Sequence, residues 1–309
     1  MKILVLGSAA GGGYPQWNCN SALCRRARSG DPAARPRTQS SIAVSADGAR
    51  WVLFNASPDL RQQFNETPAL HPSQGLRHTP LGAVVLTNAD VDHIAGLLTL
   101  REREAFALYA SARVLGALAD NPVFNVLNPE FVERRGLELA QETEIRDAGG
   151  APLGLVVTPF AVPGKVALYL EDAAAGPDFG TREGDTIGLE IRASGGAGRF
   201  YYIPGCATVD GPLAERLQGA PLVLFDGTLY SDDEMVQAGL GSKTGARMGH
   251  MSMSGPDGSL AAFDGLGVGR RIYIHINNSN PVLLEDSEER REVEAAGWEV
   301  AYDGQEIEL

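Results

Sequence analysis

Cysteine and histidine are scarce in this 309-residue chain, with three of the first and five of the second. Three thiols are an odd number and too few for a disulfide scaffold at this length, so a reducing, cytoplasmic setting is the expectation. No run approaches the ~18 apolar residues that cross a membrane. The apolar start Ile3–Leu6 is also shorter than the roughly 7–15 residues of a secretory h-region, and glycines follow at once. It reads as a first buried strand. Positive charge is in deficit, with 26 basic against 39 acidic residues and a formal charge of −13. That excludes a general nucleic-acid binder, which needs a basic face to displace counterions. The glycine-rich turn 7–13 lacks the G-x-G-x-x-G spacing of a dinucleotide fold, and no Lys-Ser/Thr pair follows for a P-loop. A structural or site-rim turn is the reading.

What is present is ordinary globular composition, 44% hydrophobic and 21% charged, with 37 glycines and 18 prolines that suggest many tight turns. Short β-rich runs recur at 3–6, 41–45, 51–55, 83–87, 155–158, 200–203, 222–225 and 272–276. Between them, Ser57-Pro58-Asp59 predicts a helix start with Ser57 as N-cap. Residues 93–104 predict a second helix, and 288–296 a third that Gly297 stops. Loops are expected at 25–37, 171–185 and 194–198, the first carrying five arginines. No linker or repeat breaks the chain. The expectation is one α/β domain over 1–309 with mixed sheets.

Polar residues gather where strands end. Residues 84–97 run from an apolar strand through Asn88, Asp90, Asp92 and His93 into a helix. Strand ends are where α/β proteins place their sites, and adjacent Asp92 and His93 can reach one cation from the same side. Asp226 closes a second strand, and His275 interrupts a third, where alone it would more often be a core histidine. His250 sits in a Gly-His-Met turn after Lys243 and Arg247. His71 and His78 lie in a Pro/Gly/Ser loop and read as solvent-exposed. Cys19 and Cys24 supply two thiolates, half of a tetrahedral zinc site; packed, reduced cysteines are an equal reading.

The strand leading to Asp92-His93, followed by Asp226 and His275 in that order, resembles the metallo-β-lactamase superfamily. Its H-x-H-x-D-H motif is altered here, since Asn88 and Asp90 stand at the first two histidines, and residues 159–169 hold no middle histidine. Segments 11–19, 37–41, 55–59, 249–251 and 275–278 are similar to the branch of that superfamily serving pyrroloquinoline quinone (PQQ) biosynthesis. The resemblance implies an αββα sandwich of two mixed β-sheets flanked by helices. Relatives often carry a C-x-C-x-x-C knuckle, and Ser21 stands at its middle cysteine, which puts a structural zinc in doubt.

The missing histidines argue for one metal held by Asp92, His93 and His275, with Asp226 a further ligand or an orienting acceptor. Two imidazoles and one carboxylate are also the ligand set of non-haem Fe(II) oxygenases. The resemblance implies an Fe(II)- and O₂-dependent hydroxylase acting on the tyrosine ring of a cross-linked Glu-Tyr diamino acid, the PQQ precursor made from the PqqA peptide. His250 and Asp90 are the acid–base candidates, and Lys243, Arg247 or arginines of 25–37 the clamps for substrate carboxylates. Two rivals stay open: a mononuclear zinc hydrolase, and a non-catalytic PQQ carrier. A homodimer and contacts with other proteins of the pathway also stay open.

Overall fold

The computed structural model describes every residue except Pro177 and Ala197. Fourteen strands build it: β1 Lys2–Gly7, β2 Ser41–Ser45, β3 Trp51–Phe54, β4 Leu81–Val85, β5 Phe106–Ala110, β6 Val132–Gly136 and β7 Thr143–Arg146; then β8 Pro152–Ala161, β9 Ile187–Ala193, β10 Arg199–Ile203, β11 Leu222–Asp226, β12 Arg270–Ile274, β13 Trp298–Val300 and β14 Glu306–Glu308. They form two seven-stranded sheets, ordered β14-β1-β2-β3-β4-β5-β6 and β13-β12-β11-β10-β9-β8-β7. In the first, β14 through β3 pair antiparallel and β3 through β6 parallel. The second repeats this rule, antiparallel from β7 to β10 and parallel from β10 to β13.

Both faces of each sheet are covered, which explains why the central strands read as unbroken apolar runs rather than alternating ones. Ile3, Val5, Ile42, Val44, Phe54 and Val85 of the first sheet meet Leu189, Ile191, Tyr202, Leu224 and Ile272 of the second in a shared core. The outer face of the first sheet packs Leu53, Val84 and Leu108 against Leu60, Val114 and Leu118, from the helices Leu60–Glu66 and Ala112–Asp120. The outer face of the second packs Tyr201, Val223, Phe225 and Tyr273 against Leu213, Phe263 and Val293. Helices, sheet, sheet and helices therefore stack in four layers.

Several local expectations change. The helix expected over 93–104 is one α-helical turn, Val91–Ile94, followed by a 3₁₀ segment, Ala95–Leu100. Gly96 explains the tightening: its N–H bonds Ala56 O at 2.9 Å, and a Cβ there would sit 2.1 Å from Ser57 O. Ser57 is not the N-cap of its helix; Asp59 occupies that position, and Ser57 Oγ donates to Gln63 Oε1 at 3.1 Å. Residues 25–37 are not wholly loop, because the helix Ala22–Arg28 takes their start. Two arginines of this stretch serve structure: Arg26 pairs with Asp31 and Asp286, and Arg35, beyond the helix, with Glu285. The helix Glu288–Ala295 forms as expected, with Gly297 in the left-handed region beyond it. The expected loops 171–185 and 194–198 include Pro177 and Ala197, which lie outside the described residues; residues 173–175 make a 3₁₀ turn.

Candidate metal centre and its pocket

The site forms where β4, β11 and β12 end side by side. Beyond β4, Asn55 pins the chain: its Nδ2 donates to Thr87 Oγ1 and its Oδ1 accepts from Thr87 N, both at 2.9 Å. Asn55 adopts φ +60° and His275 φ +61°, a left-handed region uncommon for non-glycine residues but entered more readily by Asn and His than by most. The glycine-rich turn fastens the two sheets at this point. Ala10 N donates to Ile276 O at 2.8 Å, and Ile276 N to Ser8 O at 2.9 Å.

Three acceptor atoms converge. His275 Nε2 lies 3.0 Å from Asp92 Oδ2, and His93 Nε2 lies 4.0 Å from the same oxygen. Hydrogen bonds on the far ring nitrogens assign the tautomers. His93 Nδ1–H donates to Asn88 Oδ1 at 2.7 Å, which leaves Nε2 a bare lone pair, buried and without a partner. Thr228 Oγ1 donates to Asp226 Oδ1 at 2.6 Å, so it accepts from His275 Nδ1–H at 2.8 Å. His275 Nε2 is then bare as well. Two imidazole lone pairs and a carboxylate facing one another repel unless a cation or proton stands between them. The residues fit a divalent metal: both ring orientations are fixed by partners behind the ligands, as metal-ligating histidines require.

Titration behaviour agrees with that arrangement. Burial, against the opposing pull of Asp92, lowers His93 to about 4, so it is neutral and ready to ligate. Burial would raise Asp92, but the charge of His93 and the hydrogen bond and charge of His275, present when those rings carry the proton that a metal would replace, hold it well below the usual carboxylate range. Burial and the charge of Asp92 raise Asp90 to about 6. Asp90 caps no helix N–H with its side chain and faces the pocket.

Asp226 works differently. Its two oxygens accept from Cys206 N at 2.8 Å, Thr228 N at 3.0 Å, the Thr228 hydroxyl and His250 Nδ1 at 2.6 Å. Among the described residues, Asp226, His250 and His275 form a second ligand-like group beside Asp92, His93 and His275. The second is already satisfied by these donors, so Asp226 orients His250 and, through Thr228, His275. Burial would lower the His250 pKa, but Asp226 raises it above the ordinary histidine value. The His250 and His275 rings stack, 5.3 Å between centroids.

A cavity of about 390 Å³ opens over these groups, lined by Gly11, Gln16, Asp90, Lys165, Lys243 and His250 among others. Lys243 thus lies on the pocket. Arg247 is turned away from it, paired with Glu171 at 2.9 Å and lying 3.7 Å over the Phe179 ring, and it lines a neighbouring hollow. Lys165 also pairs with Glu171. The two thiols of Cys19 and Cys24 come together, yet among the described residues no third Cys, His, Asp or Glu joins them. His71 and His78 are exposed or half-exposed, His71 bonded to Asn65 O and His78 to Ser73 N. Sequence reasoning missed Thr228, which links Asp226, His250 and His275. Its place two residues after a strand-ending aspartate was the available signal.

Comparison with known proteins agrees with the geometry. Residues 50–276 match the family described as beta-lactamase superfamily domain. Coenzyme PQQ synthesis protein B of Gluconacetobacter diazotrophicus is 56% identical over 309 residues, covering 99% of each chain. The protein of that name from Xanthomonas oryzae is 55% identical with both chains covered in full. The crystal structure of zinc-bound PqqB from Methylobacterium extorquens superposes with a TM-score of 0.94 at 53% identity, covering all of both chains. A diphosphatase of the PhnP family shares the fold alone, with a TM-score of 0.69 at 22% identity over all of this chain and 96% of the other. By sequence and by fold, the chain belongs to the coenzyme PQQ synthesis protein B family of the metallo-β-lactamase superfamily.

Proposed function

We propose that the chain is a metal-dependent hydroxylase of PQQ biosynthesis, acting on the tyrosine ring of the cross-linked Glu-Tyr diamino acid. The observation that carries the reading is the convergence of three acceptors, Asp92 Oδ2, His93 Nε2 and His275 Nε2, beneath an open cavity. Two imidazoles and a carboxylate on one face suit Fe(II) and leave positions free. Bound there, Fe(II) supplies the one-electron chemistry that lets O₂ and a phenol react. A family of this fold and name supports the pathway.

The protein's own groups do the rest. His250 keeps Nδ1–H on Asp226, so its Nε2 is the base available to a phenolic proton. The Asp226 carboxylate then stabilises the imidazolium. Asp90, with its pKa near 6, offers a second proton-exchanging group on the same pocket. Lys243 meets a substrate carboxylate by a charge-assisted bond. A cavity of about 390 Å³ lies within the usual range for small-molecule sites.

The zinc of the Methylobacterium relative keeps a hydrolytic reading in play. One experiment separates hydroxylase, hydrolase and carrier. The chain is loaded with Fe(II) without oxygen, mixed with the Glu-Tyr diamino acid, and exposed to ¹⁸O-labelled O₂. Product that gains ¹⁸O supports the hydroxylase. Product cleaved by water without ¹⁸O selects the hydrolase, and unchanged substrate, with added PQQ held tightly in a parallel titration, selects the carrier.

A further inference from the structure

The paired thiols lie outside the metal chemistry and have a chemistry of their own. Cys19 precedes the helix Ala22–Arg28, and Cys24 sits in its first turn. Ser21 is the N-cap between them: its Oγ accepts from Cys24 N at 3.3 Å, and its N–H points at Cys19 Sγ at 3.4 Å. Through Ser21 that turn ties both cysteines to the start of one helix, and each thiol's titration responds to the other. Both are buried, Cys24 completely and Cys19 at 9% exposure. Two thiolates without further donors leave a tetrahedral metal half-coordinated, so a zinc site does not fit.

We infer that Cys19 and Cys24 form an oxidisable dithiol that peroxide closes to an intramolecular disulfide, one residue layer behind the metal-site pocket. The layer is short. Cys24 Sγ lies 3.9 Å from Asn278 Oδ1, Asn278 Nδ2 donates to Gln16 Oε1, and Gln16 lines the pocket. Asn278 follows His275 by three residues.

The two sulfurs divide the work. Burial would raise Cys19, but its hydrogen bonds with Ser21 and Cys24 and the nearby Arg28 cation hold it below the usual thiol value; burial pushes Cys24 up. The more acidic thiol attacks first as thiolate, and the second resolves the product as its own proton leaves. The Cys19 sulfur attacks a peroxide oxygen, the O–O bond breaks, and the departing hydroxide takes a proton to become water. Cys24 then attacks the sulfenic sulfur; the S–S bond forms and the S–O bond breaks. The second hydroxide leaves as water with the Cys24 proton. Two thiols are oxidised and one peroxide is reduced to two waters. Cys206 takes no part, because its buried thiol donates to Thr208 O at 3.1 Å and burial raises its pKa.

The test treats the purified full chain with limiting hydrogen peroxide, then maps peptides without reduction. The expected product is a Cys19–Cys24 crosslink in monomeric chain, two hydrogens lighter, reversed by dithiothreitol, with Cys206 still alkylated after unfolding. In Cys24→Ala, Cys19 should stop at sulfenic or higher acid under the same dose. Three results overturn the assignment: Cys24 fully alkylatable after peroxide, a disulfide joining two chains, or no oxidation of Cys19 in Cys24→Ala. Stoichiometric zinc in the purified chain that leaves when Cys19→Ser is introduced overturns it too.

Discussion

His275 Nε2 stands 3.0 Å from Asp92 Oδ2, although the two residues follow strands of different sheets and lie 183 positions apart in the chain. Each sheet positions its own partner. Asp92 is held by the turn after β4, and His275 by the left-handed backbone after β12. In the neutral tautomer that Thr228 favours, His275 Nε2 has no proton to offer Asp92. A cation between them turns repulsion into a bond.

That geometry predicts one divalent ion per chain. Titration with Fe(II) under anaerobic conditions should saturate at a single equivalent. At 100-fold excess over Kd the ion should stabilise the fold by about 2.7 kcal/mol. Anomalous scattering from a second fully occupied ion at Asp226 and His250 would contradict the reading of that group as internally satisfied.

The histidines should separate by phenotype. His275→Ala removes a direct bond and should lose metal and turnover together. His250→Ala should keep near-normal metal and slow turnover by roughly 10²–10⁴-fold, the usual contribution of a positioned acid–base group. Metal analysis beside single-turnover rates decides it, and inverted metal contents would reverse the assignment.

Asn88 should matter without touching the metal. Its Oδ1 accepts the His93 Nδ1–H at 2.7 Å, so Asn88→Ala frees the ring to rotate and to change tautomer. Metal affinity should fall about 10–100-fold with the fold intact. Unchanged affinity in a competition titration would show that packing alone orients His93.

Glu234 gives a pH prediction apart from the site. Burial raises its carboxyl to about 7, even though Ser279 Oγ, Tyr230 N and Ser231 N donate to it. Below the unfolded value both states are protonated and nothing is lost. Between about pH 4.5 and 7 the folded chain keeps a proton that the unfolded chain releases, so stability falls as pH rises. The full cost, about 3 kcal/mol at most, persists above pH 7. Glu234→Gln can keep all three bonds if the Ser279 hydroxyl turns to accept. Urea unfolding should show the variant level with the parent near pH 4.5 and more stable at pH 8. Equal stability at both would refute it.

Much of this site was legible because the chemistry-bearing residues sit at strand ends, where an apolar run stops at Asp92-His93, Asp226 and His275. Strands such as Ser41–Ser45 were readable for the same reason, as short apolar runs buried on both faces. Strands β6 and β7 were not, since Val-Glu-Arg-Arg-Gly and Thr-Glu-Ile-Arg carry mostly polar side chains on partly exposed strands. The helix after His93 was overread because its apolar spacing fits 3.6 residues per turn, whereas the close approach of Gly96 to Ala56 forces a tighter coil. Arg247, expected as a substrate clamp, faces away from the pocket for a longer-range reason. Its partner Glu171 lies 76 residues upstream, and no local pattern announces that pairing.

The division of ligands between the sheets also sets when the metal can arrive. A nascent chain that has folded β1 to β6 already presents Asp92 and His93, but a two-ligand stub holds ions weakly and exchanges them freely. With His275 as the third ligand, tight capture would wait until β12 has docked. Metal choice would then fall to a nearly completed protein, against the pool around it at that moment. A ribosome-stalled or truncated product ending before residue 275 should carry no retained ion, whatever the metal supply during synthesis.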